Sequence, residues 1–405
     1  MSAEQDRSRP QRTEVVVAGA GPVGCVAAML LAKAGIDTIL LEAGPDCSAD
    51  MRASTFHAPT LEMLDKLGLT QPLIDRGLKA PIFHWRDRRS GEILSFDLTE
   101  ISDSTRYPYR IQCEQYHLSR MITQKLEEES NVDVRFLNRV AHLEQDKDGV
   151  FVNVETPTEI QTIRADYLIG ADGASSTVRK WLGIDFEGFT YPEKFLCLTT
   201  DEPLEDALPG LAAVNYVSDP EEWLVLLRVP TLWRVLLPGY DEANERLISD
   251  EMKNEVFERL VGHGADVRTF HRTIYRVHQR VAKRFQRGRV FLAGDAAHVN
   301  NPLGGFGMNS GIHDVFNLVE KLVPVLRQKA DPMTLGRYDR QRRAVANSFV
   351  QRQTMQNMEL MNGQGDLHVK QRQLMRDLAA DPEKRREYML RQSMISSIRE
   401  AEGIA

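Results

Sequence analysis

Three short apolar runs punctuate the chain, and each ends in a turn of small residues followed by a helical pattern. The first is Glu14–Ala18 (EVVVA), which enters Gly19-Ala20-Gly21-Pro22-Val23-Gly24 and then an Ala- and Leu-rich helix over Cys25–Ala34. Gly35 stops that helix, and Thr38–Leu41 is the next strand, ending at Glu42. The second run is Tyr167–Gly170 (YLIG), which continues into Ala171-Asp172-Gly173-Ala174-Ser175-Ser176-Thr177-Val178-Arg179, where Ser175 or Ser176 caps a helix. The third is Val290–Ala293, followed by Asp295, a loop with Gly304, Gly305 and Gly307, and a helix expected to open near Met308–Asn309. Unbroken apolar runs of this length between glycines read as buried strands.

Elsewhere the periods alternate. An amphipathic helix is expected from Pro59 to Gly68, and Gln115–Glu128 carries an apolar face at Leu118, Ile122 and Leu126. Ile82–Phe96 reads as a hairpin turning at Arg89-Ser90-Gly91, and Tyr107–Gln112 as a short strand. Val132–Phe136, Ala141–Gln145, Gly149–Glu155 and Ile160–Arg164 form a meander. Phe195–Tyr275 changes character: strands at Ala212–Tyr216, Leu224–Val229 and Trp233–Leu237 and one helix, Glu245–Val261, predict a separate β-rich layer, which the Ile82–Phe96 hairpin joins. Ile312–Gln328 and Asp331–Met358 are helical, as is most of the charged remainder.

Composition narrows the class. The chain has 405 residues, 42% of them hydrophobic, enough for one large or two ordinary domains. A net charge of -7 argues against general nucleic-acid binding. The four cysteines, Cys25, Cys47, Cys113 and Cys197, have neither CxxC nor zinc spacing and read as reduced thiols of a cytoplasmic protein. The ten histidines show no metal spacing, so no metal is expected. No apolar run reaches the roughly 20 residues of a membrane span. Residues 1–12 are polar and are expected to be a disordered tail. Between residues 268 and 289 lie eight Arg and Lys side chains, which read as a solvated rim or as a surface steering a phosphate-bearing reductant.

The candidate chemistry begins at the first turn. Strand, GxGxxG, helix, strand and acid together form a dinucleotide-binding fingerprint. Gly19 permits the tight turn, Gly21 the approach of a pyrophosphate past Pro22 and Val23, and Gly24 the close packing of helix on strand. Glu42 is placed to accept from a ribose hydroxyl. Asp172, the turn amides and Arg179 can face one phosphate-bearing ligand. Asp295 stands at a strand's C-terminal end, where ligands bind in open α/β sheets. The glycine loop beyond it feeds a helix N-terminus, whose bare N–H groups and dipole suit an electron-rich ligand edge.

These signals, GAGPVG with Glu42, GADGASSTVRK and GRVFLAGDAAHVNNPLGGFGMNSG, together resemble the single-component (group A) FAD-dependent aromatic hydroxylases, over about Thr13 to Arg343. DGASSTVRKWLGIDFEGFTYPEKF, LWRV and YRVHQRVAKRFQRGRVFLAGDAAH are most similar to the nitrophenol- and hydroxyphenylpropionate-hydroxylating members. The resemblance implies an α/β fold of para-hydroxybenzoate-hydroxylase type: a Rossmann-like FAD-binding domain (13–80, 106–190 and 270–350), a β-sheet substrate domain (81–105 and 191–269) and a C-terminal helical segment (351–405).

It also implies roles. Gly19, Gly21, Gly24 and Glu42 match the adenylate fingerprint, Arg52 an arginine beside the flavin pyrophosphate, and Gln115 a flavin-contacting glutamine. Asp172 and Gly173 match a motif serving both FAD and NAD(P)H, and Asp295 the aspartate on the ribityl chain. Pro302, Gly305, Gly307, Met308 and Asn309 match the loop against the isoalloxazine ring. Relatives often have Pro-Pro where this chain has Asn301-Pro302, which leaves the loop's detailed shape open. Arg234, Asn309 and Pro302 are the expected catalytic residues, Arg234 as a flavin- or substrate-facing cation. For the substrate base, Tyr216, Arg228, His57 and His84 are candidates. His298 is expected to hydrogen-bond locally.

The implied reaction is hydroxylation of a phenol or hydroxylated N-heteroaromatic by tightly held, non-covalent FAD, with NAD(P)H as transient co-substrate, O2, and a flavin C4a-hydroperoxide. A homodimer is the assembly allowed for. The alternative is an FAD-dependent reductase, dehydrogenase or halogenase on the same scaffold. Trp85, Trp181, Trp223 and Trp233 do not form the halogenase Trp-x-Trp-x-Ile-Pro signature.

Overall fold

The computed structural model describes residues 10–48, 53–240, 243–363 and 365–405. Val15, Val16 and Val17 are fully buried because their strand, Gln11–Ala18, is flanked by parallel partners, Thr38–Leu41 on one side and Ile160–Gly170 on the other. Val132–Arg135 and Val290–Leu292 extend the parallel array outward. Strands covered on both faces take unbroken apolar runs rather than alternation, which is why these were readable from the sequence. Arg139–Gln145 and Val150–Glu155 add antiparallel strands to the start of Ile160–Gly170, and Gln286–Arg287 pairs antiparallel with Val290–Leu292, completing eight.

A second eight-stranded sheet runs in the order His298–Val299, Thr269–Ala282, Phe186–Thr200, Trp233–Gly239, Leu224–Arg228, Val214–Ser218, Ile82–Asp87, Ile93–Asp97. Its strands alternate faces. Leu196, Leu198, Val235 and Leu237 pack under the helix Asp250–Val261, while Phe195, Cys197 and Leu236 turn toward the other layer. The 82–97 hairpin enters by a parallel pairing of Ile82–Asp87 with Val214–Ser218, and the Asp87 carboxylate accepts from the Ser90 N–H and hydroxyl in its turn.

Several boundaries differ from the sequence reading. The expected tail is partly strand: Gln11 and Arg12 belong to the first strand, and residues 1–9 lie outside the described residues. The first helix begins at Pro22, inside the fingerprint, because proline at a first helical position costs no hydrogen bond. Ile160–Arg164 and Tyr167–Gly170 are one strand, Ile160–Gly170, which changes partners along its length. Phe186–Thr200 and Thr269–Ala282, the longest strands, were not read as such. The basic segment is therefore largely strand, with Arg272, Arg276 and Arg280 on one face. The helix Phe306–Leu326 opens at Phe306 rather than at Met308–Asn309, because Gly305 takes the left-handed conformation at its cap. The expected helix over Asp331–Met358 is Gly336–Val345, a π-type turn at Ala346–Gln351, and Arg352–Asn362. Asp366–Ala380, Pro382–Gln392 and Ile395–Glu402 follow. No helix of the described residues is long and apolar enough to cross a membrane. All four cysteines are free and buried.

One buried carboxylate ties these parts together. Asp314, on the Phe306–Leu326 helix, accepts from the Gly294 N–H (3.1 Å), His298 Nε2 (2.9 Å) and Arg342 Nε (2.6 Å). Burial opposes its charge, but Arg342 and His298 outweigh burial and hold its carboxyl below the usual aspartate range. Replacing Asp314 with Ala strands the buried Arg342, a loss of roughly 3–5 kcal/mol on the scale of broken buried ion pairs, read in chemical denaturation. Because the folded value is depressed, the stabilisation is complete above the ordinary aspartate value of about 4 and disappears as pH falls through the folded value. A D314N variant, compared across that range, should lack this acid limb.

Candidate functional site

The cleft between the two layers is lined from three directions. Gly21, Pro22 and Val23 come from the fingerprint turn, with Ala171 and Gly173 from the second small-residue turn and Ala293 and Asp295 from the third. Gln115, first residue of the helix Gln115–Leu126, and Ser54 and Thr55 form another edge. Pro302, Gly304, Gly305, Phe306, Gly307 and Met308 form the floor, and Cys197, Tyr216, Val225, Leu227, Arg234, Leu236 and Tyr275 the wall from the second sheet. The three turns thus share one cleft.

Of the residues singled out from sequence, Gly21, Pro22, Val23, Gln115, Gly173, Tyr216, Arg234, Asp295, Pro302, Gly304, Gly305, Gly307 and Met308 line it. Arg52 lies outside the described residues. The others stand behind the surface. Gly24 is a packing residue: a Cβ there would sit 1.9 Å from the Gly19 carbonyl oxygen, and Gly19 itself lies against Ala171. Glu42 accepts from the N–H groups of Ala20 and Gly44, both at 2.8 Å, so its carboxylate braces the fingerprint turn.

Asp172, Arg179 and Asn309 are turned inward. Asp172 accepts from the Ser176 hydroxyl and the Val178 N–H, and Ser176, of the two serines proposed as caps, accepts from the Arg179 N–H. The expectation that Arg179 faces a ligand phosphate is corrected. Its guanidinium is buried, stacks 3.8 Å from the Phe186 ring centroid, and donates to the carbonyls of Ala174 and Ala296, clamping the second turn to the third. Asn309 accepts from the His57 N–H (3.0 Å) and donates to the Thr55 and Gly305 carbonyls (2.8 and 2.7 Å). It sets the loop's shape from beneath. With the helix opening at Phe306, the first three amides without an intrahelical partner are those of Phe306, Gly307 and Met308, a set that begins two residues earlier than expected.

His57 is fully buried; its Nε2–H donates to the Gly304 carbonyl at 2.8 Å. Burial and then the Arg110 charge hold its pKa well below the ordinary value, so it is a neutral brace. His298 is bound to Asp314, away from the cleft. His84, half-buried, lies off the lining and is lowered by burial and by Arg86. Arg228 stacks over Trp233 at 5.3 Å and is also off the lining. Met358, Met361 and Met375 are core residues, and Met355 is partly exposed.

Arg234 is the polar anomaly of the wall. It is 2% exposed, and none of its three guanidinium nitrogens has a hydrogen-bond partner among the described residues. Its one ion pair, with Glu114, is loose at 3.6 Å. Buried charge without hydrogen bonds is costly, so the cleft has the form of one completed by a ligand. A cleft lined by a glycine turn, an acid at a strand end and a helix N-terminus fits a dinucleotide carrying a planar ring.

The chain belongs to the FAD-binding domain family. Residues 12–353 match it. Over 341 residues the chain is 38% identical to para-nitrophenol 4-monooxygenase of Pseudomonas sp. (strain WBC-3), covering 83% of this chain and 84% of that one. It is 31% identical to 6-hydroxy-3-succinoylpyridine 3-monooxygenase of Pseudomonas putida (strain DSM 28022 / S16), covering 82% and 86%. The crystal structure of p-nitrophenol 4-monooxygenase from Pseudomonas putida DLL-E4 superposes with a TM-score of 0.89 at 32% identity, covering 95% of this chain and 99% of that one. FAD is therefore the cofactor of this fold, and the sequence-derived resemblance to aromatic hydroxylases holds. Purified protein should carry stoichiometric FAD, released on denaturation. Asp295→Ala should weaken FAD retention at least tenfold in equilibrium dialysis, while circular dichroism stays unchanged.

Proposed function

We propose that this protein is an NAD(P)H-dependent monooxygenase that hydroxylates a phenolic or hydroxylated N-heteroaromatic ring. The observation that carries the reading is the meeting of two unlike surfaces in one cleft: the helix-terminal amides at Phe306–Met308 and an apolar wall of Val225, Leu227 and Leu236. The relatives named above act on a nitrophenol and a hydroxypyridine and are both monooxygenases. No observation favours the reductase or halogenase alternatives.

FAD held in this cleft would supply the oxygen chemistry, delivering one atom of O2 to the aromatic ring with two electrons from a nicotinamide while the other atom leaves as water. The chain supplies everything else. The amides of Phe306, Gly307 and Met308 and the dipole behind them stabilise negative charge at the ring edge they face, at no reorganisation cost. Asn309 and His57 hold that loop from below. Arg234 offers a second, buried positive charge to flavin or substrate. Val225, Leu227 and Leu236, backed by Trp223 and Phe195, exclude water where a reactive oxygen must persist. Tyr216, on the same wall, contacts the phenolic oxygen of the substrate.

A screen of phenols, hydroxypyridines and hydroxyquinolines should find compounds that accelerate NAD(P)H consumption, with label from 18O2 appearing in product. Label from water instead of O2 would sink the reading. Arg234→Met should lower kcat/KM by roughly 10- to 100-fold, the scale of a lost charge-assisted contact of about 1.5–3 kcal/mol.

A further inference from the structure

Cys113, Glu114 and His117 form a compact donor group at the joint between the strand Arg110–Gln112 and the helix Gln115–Leu126. The thiol, the carboxylate and the imidazole offer ligand atoms that all lie within 4.8 Å of one another. Among the described residues, none of the three side chains has a hydrogen-bond or ion-pair partner closer than 3.6 Å. Cys113 Sγ donates to the Glu114 carbonyl at 3.9 Å. Glu114 occupies the helix N-cap, yet its side chain caps no amide. Its Oε1 faces Arg234 Nη2 at 3.6 Å, and its Oε2 faces His117 Nε2 at 4.0 Å. Cys113 is 1% exposed, while the Glu114 and His117 side chains are 12% and 30% exposed. The group is therefore deep at its sulfur and reachable past its imidazole.

Three donors of these kinds are one short of the four that Zn2+ takes, and water fills a fourth position. Zinc bonds of about 2.0–2.3 Å at a tetrahedral angle separate neighbouring ligand atoms by about 3.3–3.8 Å. The gap between Oε2 and Nε2 then needs to close by about half an ångström. Three arginines select the kind of ion. Arg76 and Arg234 act on the thiol, and Arg76 and Arg120 on the imidazole. Their charge repels a dication held by oxygen alone and favours a thiolate, so a thiophilic ion is taken and Mg2+ refused. Burial keeps the His117 imidazole neutral, the ligating form. It also pushes the Cys113 thiol up to about 12, so the entering ion displaces the thiol proton to solvent as the sulfur–metal bond forms. We propose that Cys113, Glu114 and His117 bind one thiophilic divalent cation of the Zn2+ class beside the FAD cleft. Oε2 coordinates the ion while Oε1 stays toward Arg234, which lines the cleft, as does Gln115, the next residue in the chain. The ion thus sits one carboxylate away from the buried arginine of the wall, and its occupancy is felt at the flavin. This goes beyond the hydroxylase reading and does not depend on which ring is oxidised. Paired cysteines or histidines announce zinc in a sequence. A single one of each, brought together where a strand gives way to a helix, does not.

The test needs no turnover. FAD-loaded protein is freed of metal with a chelator and dialysed against Zn2+, and metal, flavin and protein are counted in the retained fraction. About one zinc per chain is expected, with no Mg2+ retained at the same concentration. Cys113→Ser and His117→Ala should each weaken zinc binding roughly tenfold or more. Cd2+ in place of Zn2+ should give the wild type an ultraviolet sulfur-to-metal charge-transfer band that Cys113→Ser lacks. Zn2+ should also shift the visible FAD spectrum of the wild type and, at the same concentration, leave that of His117→Ala unchanged. FAD content and thermal unfolding are measured on every variant. Should Cys113→Ser fail to fold, the more exposed His117→Ala decides, together with the Cd2+ band of the wild type. A wild type that retains no zinc overturns the proposal. So do zinc bound equally well by either folded variant, Mg2+ bound as tightly as zinc, and Cd2+ bound without the thiolate band. Zinc held by these residues with no change in the FAD spectrum overturns the link to the cleft and leaves the site standing.

Discussion

Everything in the site hangs on a carboxylate that never meets solvent. Asp314 receives a backbone N–H from the strand-end turn at Gly294, a ring nitrogen from His298 and a guanidinium from Arg342. These donors come from two separate stretches of chain, 294–298 and the helix carrying Arg342, and one anion on a third fixes their mutual positions. Asp295, next to Gly294, is thereby held at the cleft, and the helix carrying Asp314 is held with its open end toward the same space. A buried ion pair is weak as a source of net stability, but breaking it is expensive. Its value here is geometric.

The second constraint is the interlocking of two sheets with different rules. The parallel sheet brings small-residue turns to one edge, where backbone can approach a ligand closely. The largely antiparallel sheet presents alternate side chains as a wall. They are joined where His298–Val299 pairs with Arg280–Val281, immediately before the glycine loop. The C-terminal helices close the arrangement: Gln392 donates to Asn357, and Asn357 donates to the Leu303 carbonyl. A segment that looked like charged surface helix is in this way part of the support of the loop.

Much of this was legible because close-packed turns demand particular residues. Gly24 cannot be anything larger beside Gly19, and Asp295 sits where a strand must end. Other features were hidden for equally physical reasons. Phe186–Thr200 and Thr269–Ala282 carry charged and polar residues along much of their length, so no apolar run announces them. They are strands because they pair with each other across almost their whole extent. Arg179 and Asp172 had the right residue types for a ligand site and were used inside the turn instead.

The sequence by itself determined the three turns, their order and the cofactor class, because the left-handed backbone at Gly19 and Gly305 and the close contact of Gly24 with Gly19 tolerate few alternatives to glycine. Which polar side chains face the cleft was decided only by tertiary structure. The same guanidinium is a clamp at Arg179 and a loosely paired wall charge at Arg234, according to the carbonyls, acids and aromatic faces that distant segments bring within about 3–4 Å of it.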